Sequence, residues 1–140
     1  MYDGRNIVIQ NDQLYLLAKQ NHRLKMLELS GQAKFAIVDS PLLLSNIYGR
    51  LHNSITNKFE EFTLELFDSF NNLNYFINRK ENSFEKEGRF QKNIEEAKKI
   101  DKQIYDYLNN NNIKHEKING IDDFPFNKIV EKLMEDNKNE

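Results

Sequence analysis

Apolar and polar residues change period several times along this chain, and each change marks an element. From Gln13 to Leu29, Leu14, Leu17, Leu24 and Leu27 recur at helical intervals, with Tyr15, Leu16 and Met26 widening the stripe. A helix is predicted there, capped by Asn11 or Asp12 and ended by Ser30-Gly31. An unbroken apolar run, Phe35 to Val38, follows within KFAIVDSP (34–41) and stops at Asp39, Ser40 and Pro41. This is the pattern of a buried strand that delivers a carboxylate at its tip. Leu42 to Arg50 begins apolar and becomes polar, which predicts a short helix or a wide loop. Ser54 or Thr56 starts a second long helix, whose face Ile55, Phe59, Phe62, Leu66 and Phe70 is spaced to pack against a sheet.

Asn71-Asn72 breaks that helix, and LNYFIN (73–78), rich in aromatic and β-branched residues, predicts a second strand. Residues 79–89 carry four basic and three acidic side chains without periodicity, the mark of a flexible charged loop. From Phe90, a helical face of Ile94, Ala97, Ile104 and Leu108 runs to the four asparagines Asn109 to Asn112. IKHEKI (113–118) alternates and predicts a third strand, nearer an edge. Asn119-Gly120 turns the chain. Asp122 or Asp123, with Pro125, opens a last helix built on Phe126, Ile129, Val130 and Leu133, and a polar end follows. Before the first helix, Asp3-Gly4 marks a turn, and Ile7 to Ile9 form a brief strand or an apolar lead-in.

The order helix, strand, helix, strand, helix, strand, helix predicts an α/β fold in a single domain spanning 1–140. Its small parallel sheet has about three strands, right-handed crossovers and helices on both faces. Ligands of such sheets bind outside the carboxyl ends of the strands, where Asp39 is expected.

Composition narrows the chemistry. The 140 residues have a net charge of −2, which does not indicate nucleic acid or a membrane surface as partner. There is no cysteine, which removes disulfides, thiolate zinc sites and cysteine nucleophiles and fits a cytoplasmic location. No apolar run approaches the ~20 residues that span a bilayer. His22, His52 and His115 lie on separate predicted elements without ligand spacing, so no metal site is expected. Tyr48 and Tyr75 are candidates to line a pocket.

The ordered combination of VDSPLLLSNIYG (38–49), a long aromatic helix, NLNYFINR (72–79), EGRFQ (87–91), EEAKKID (95–101) and a closing strand-helix pair resembles the P-loop nucleotide kinases of phages, often labelled AAA-family ATPases. The resemblance covers nearly the whole chain. It implies that Asp39 is the Walker B type residue, with Ser40 beside it as a nucleotide or metal ligand. It further implies that Arg79 and the Gly88-Arg89 pair of the lid steady phosphate oxygens, with Lys80 and Lys86 completing an anion clamp or a partner-binding surface. The departure is equally clear. The sequence contains no G-x-x-x-x-G-K-S/T, the loop whose backbone amides cradle the β- and γ-phosphates.

The chain therefore resembles a family member without its first strand-loop-helix unit, and no catalytic residue is assigned. The competing readings are a turn or capping role for Asp39 and Ser40, and a solvated charged loop for the basic residues. Two functions follow. One is a non-catalytic protein that binds another macromolecule or itself, without cofactor, such as a phage inhibitor or modulator of a host enzyme or defence system. The other is part of a nucleotide or nucleoside kinase, using ATP and Mg, whose phosphate loop is supplied elsewhere. In the family the lost strand is central, so its removal is expected to leave unpaired strand edges that seek another chain.

Overall fold

The computed structural model describes residues 11–79, 94–120 and 125–136. They belong to two compact units, 1–72 and 73–140. The first holds helices α1 (Gln13–Ser30), α2 (Leu44–Leu51) and α3 (Asn57–Asp68). The second holds β1 (Tyr75–Asn78), α4 (Ile94–Asn110), β2 (Glu116–Asn119) and α5 (Phe126–Asp136). The fold is mixed α/β, as the periodicity predicts. Among the described residues, no helix is long and apolar enough to cross a membrane.

In the first unit, α1 starts where Asp12 Oδ1 accepts the Tyr15 N–H at 3.0 Å. It stops at Gly31, whose φ of 62° places it in the left-handed region that glycine occupies without strain. Leu42 and Leu43, in the turn after Pro41, enter the core together with Leu17, Ile47 and Phe67. Two polar contacts tie α2 to α3. Asn46, fully buried, donates from Nδ2 to the Glu60 carbonyl at 3.2 Å, and Arg50 Nη2 donates to Glu60 Oε2 at 2.7 Å. Gly49 lies so close to Ile55 that a Cβ added there would stand 2.5 Å from its Cγ2.

Two expectations are corrected here. The aromatic face predicted as core on α3 is turned: Phe62 is 49 % exposed, whereas Thr63 and Phe67 are buried. The cause is the cover. A helix, α2, packs on α3 through Glu60, so the inward arc runs through residues 60, 63 and 67. Thr63 fits this apolar position because its hydroxyl donates to the Phe59 carbonyl at 2.9 Å.

The second correction concerns 34–38, which forms no strand. The chain from 31 to 41 holds neither helix nor strand, Ile37 is 98 % exposed, and Phe35 and Val38 are each 44 % exposed. A strand needs a neighbouring ladder, and the described part of the first unit contains helices and no other strand. Asp39 is consequently not the tip of a strand, and the sheet has two strands instead of three.

In the second unit β1 and β2 are parallel, in register from Tyr75 opposite Glu116 to Asn78 opposite Asn119, with α4 as the connecting helix in sequence. Helix α4 buries Ala97 and Tyr107. It places the Tyr105 ring 5.1 Å from Phe76 between centroids, with Lys117 Nζ 4.5 Å above the same ring. This helix therefore packs on the sheet face that carries Phe76. The strand expected from Ile113 begins at Glu116 instead, because Ile113 N–H still bonds the Leu108 carbonyl at 2.9 Å and closes the end of α4. Asn112, like Asn53 after α2, has a positive φ (54° and 50°). Helix α5 follows its predicted periodicity with Phe126 and Val130 largely exposed; its expected caps, Asp122 and Asp123, lie outside the described residues.

Because Ile55 is branched at Cβ and pressed against Gly49, Gly49→Ala is expected to destabilise the first unit by about 1–3 kcal/mol through overpacking. Adding Ile55→Ala should recover part of that loss relative to Ile55→Ala alone. Urea denaturation of the single and double variants measures both.

Candidate functional site

The two ligands implied by the family resemblance, Asp39 and Ser40, sit at the end of the irregular segment that enters α2. Asp39 is exposed and Ser40 half-buried. The next hydrogen bond in the chain is a local turn, Leu44 N–H to the Pro41 carbonyl at 2.9 Å. They precede α2 without capping it, since its N-cap is Leu43 and no side-chain cap bond is made there.

Arg79 is better defined. It follows β1 directly, and its guanidinium grips Asp101 of α4 in a two-pronged pair, Nε to Oδ2 at 3.0 Å and Nη2 to Oδ1 at 3.2 Å. Both side chains are partly buried. A fork of this kind matches a carboxylate as it would match a phosphate. Asp101 therefore occupies the donors that the resemblance would assign to a phosphoryl group, and the contact fastens the end of β1 to α4. Lys80, Lys86 and Arg89, with nearly all of the loop expected to be flexible, lie outside the described residues.

The carboxyl ends of the two strands bring together Asn78, Arg79, Asn119 and, from α4, Asp101. Asn78 Nδ2 donates to Asn119 Oδ1 at 2.7 Å, so the amides satisfy each other across the register. At the opposite end Tyr75 faces Glu116. Burial, and then the neighbouring Glu116 carboxylate, raise the Tyr75 hydroxyl above the ordinary tyrosine value. Tyr48, the other tyrosine proposed for a pocket, is half-buried on α2 in the first unit.

The histidines are dispersed. His22 lies on α1, His52 ends α2, and His115 turns Nδ1 to the Ile113 carbonyl at 2.8 Å with its ring edge-on to Tyr105. Because a carbonyl only accepts, Nδ1 carries the proton in that contact. Among the described residues, no three His, Cys, Asp or Glu side chains gather as a metal group.

Two features escape the sequence reading. One is an open groove of about 350 Å³ in the first unit, with Leu14, Leu17 and Ala18 of α1 facing Phe62 and Leu66 of α3, and Lys25 at its side. Lys25 Nζ is 2.8 Å from Glu28 Oε2 and 4.6 Å from the Phe70 ring centre. The signal for it was Phe62, an aromatic residue on a helix already supplied with Phe59 and Phe67. The other is the bare apolar segment Phe35 to Val38, whose apolar content was legible but whose exposure was not.

Comparison with protein-family models, with curated proteins and with solved structures finds no match.

A double-mutant cycle on Arg79→Ala and Asp101→Ala is expected to give a coupling of about 1 kcal/mol, at the upper end for a partly exposed pair because two hydrogen bonds are aligned. For Tyr75, the raised value means that its contribution is full below the unfolded tyrosine value and is lost as pH rises through the folded one. Thermal melts on either side of pH ~10 should show an alkaline loss of stability that is smaller in Tyr75→Phe.

Proposed function

We propose that this chain is a non-catalytic relative of the phage-type P-loop kinases that acts by binding another macromolecule, as an inhibitor or modulator of a host enzyme or defence system in the host cytoplasm. The observation that carries the reading is the exposed run Phe35 to Val38. Burying an isoleucine or phenylalanine side chain contributes about 1.5–3 kcal/mol, and a run of such residues left in solvent forgoes that gain until a partner covers it. Support for a role without turnover comes from the two implied phosphate-handling residues. The Asp39 carboxylate lies on a solvent-facing helix entry, and the Arg79 fork is matched by Asp101. The sequence holds no G-x-x-x-x-G-K-S/T to place a γ-phosphate beside either.

The protein incubated with ATP or GTP and magnesium is expected to hydrolyse or transfer no phosphate above a blank, and Asp39→Ala should change nothing. Turnover that disappears in Asp39→Ala would establish the other function, a kinase subunit whose phosphate loop is supplied elsewhere. A photo-reactive residue introduced at position 37 should form a covalent adduct with a single macromolecular species in extract of the host cell. The same residue at exposed position 61 of α3 should not. Equal labelling from both positions would refute a docking role for the segment.

A further inference from the structure

Among the described residues, the main chain of β2 is bonded on one side and meets no other strand on the second. Glu116 N–H donates to the Asn74 carbonyl at 2.9 Å, so in the parallel ladder Glu116 and Ile118 turn their backbone groups toward β1. Lys117 and Asn119 turn theirs the other way, and among the described residues no main-chain group meets them there. A two-stranded sheet with such an edge is at the lower limit of stability, and the edge is a template for one more strand. The same chain carries a segment suited to it. Phe35 to Val38 has four residues, the length of β1 and of β2, is rich in strand-forming types, lies outside any helix or ladder, and exposes Ile37 almost completely.

We infer that Phe35 to Val38 is an intermolecular strand, added in parallel to the outer edge of β2 on a second copy of this chain, each copy giving its segment to the other. The inference rests on the docking role proposed for the segment and names the occupant that covers it until a host macromolecule takes its place.

Register and charge select the arrangement. With Ile37 beside Ile118, Ile37 and Phe35 fall on the sheet face that carries Ile77 and Ile118, and a continuous row Ile77, Ile118, Ile37 crosses the three strands. Ile37, 98 % exposed in the single chain, gains Ile118 as its direct neighbour in that row. In the antiparallel alternative with Ile37 against Ile118, Asp39 would stand directly opposite Glu116, a like-charge pair that destabilises a ladder. The parallel arrangement sets Asp39 beside Gly120 and avoids the clash. Where each copy gives its segment to the other, the two strand-to-edge contacts close at a dimer.

The test uses the full chain. Light scattering after size-exclusion chromatography, repeated across the micromolar range, is expected to shift from the mass of one chain to that of two. Over the same range the Lys117 amide should exchange more slowly with solvent, because it becomes a ladder donor. Ile37→Lys should remain a single chain. Lys117→Pro should too, since it deletes the outward-facing N–H, whereas Lys117→Leu, which removes the ammonium as the proline does but keeps the N–H, should pair like the wild type. An equimolar mixture of Ile37→Lys and Lys117→Pro should regain a two-chain species, one copy offering an intact edge and the other an intact strand.

A wild-type chain that stays single with an unchanging Lys117 amide would overturn the inference, as would a folded Lys117→Pro that pairs normally or a mixture that does not. Where Lys117→Pro fails to fold, the concentration dependence of the wild-type Lys117 amide decides. A single-chain protein whose position 37 still labels one host macromolecule would overturn the self-pairing alone and leave the wider binding role standing. Loss of both would remove both.

Discussion

Burial of Leu42 and Leu43 is the interaction on which the first unit depends. Pro41 ends the extended chain and the two leucines immediately after it drop into the space between helices, at about 2 % exposure each. Once they are there, α2 is held where Asn46 and Arg50 reach Glu60 of α3. The equally apolar run four residues upstream stays outside that core. Of two adjacent apolar clusters, the one joined to a helix is buried and the one outside any element is exposed.

The sequence reading succeeded where local chemistry decides. Asp12 and Thr56 cap α1 and α3, Ser30-Gly31 stops α1, and the asparagine run closes α4, because each of these signals acts within one helical turn. The parallel pairing of residues near 75 and 116 was also legible, since two β-rich segments separated by a helix have few other ways to meet. Failure came where the answer depends on which neighbour is present. The KFAIVDSP run has the composition of a buried strand and, among the described residues, no strand paired with it. The Phe62 stripe was read as core because it was assumed to face a sheet, and the cover is the helix α2.

Legibility of the candidate site followed the same division. That Arg79 stands at the end of a strand could be read from NLNYFINR. That its partner is Asp101, twenty-two residues further on, could not, because the pairing is fixed by how α4 lies on the sheet through Tyr105 and Phe76. The residue was found and its occupant was not. A guanidinium already gripped by a carboxylate serves as a fastening, and the change from ligand holder to fastening is visible only when both ends of the contact are placed.

The helix ends at Asn53 and Asn112 carry a different consequence, one for the protein engineer. Both asparagines hold left-handed backbone conformations that glycine adopts at lower conformational cost, and both side chains are exposed. Heat resistance has therefore been left unclaimed at two surface positions that carry none of the core. A thermally hardened form of the chain can be sought there by replacing single residues, with the core, the sheet and the exposed segment all left as they are.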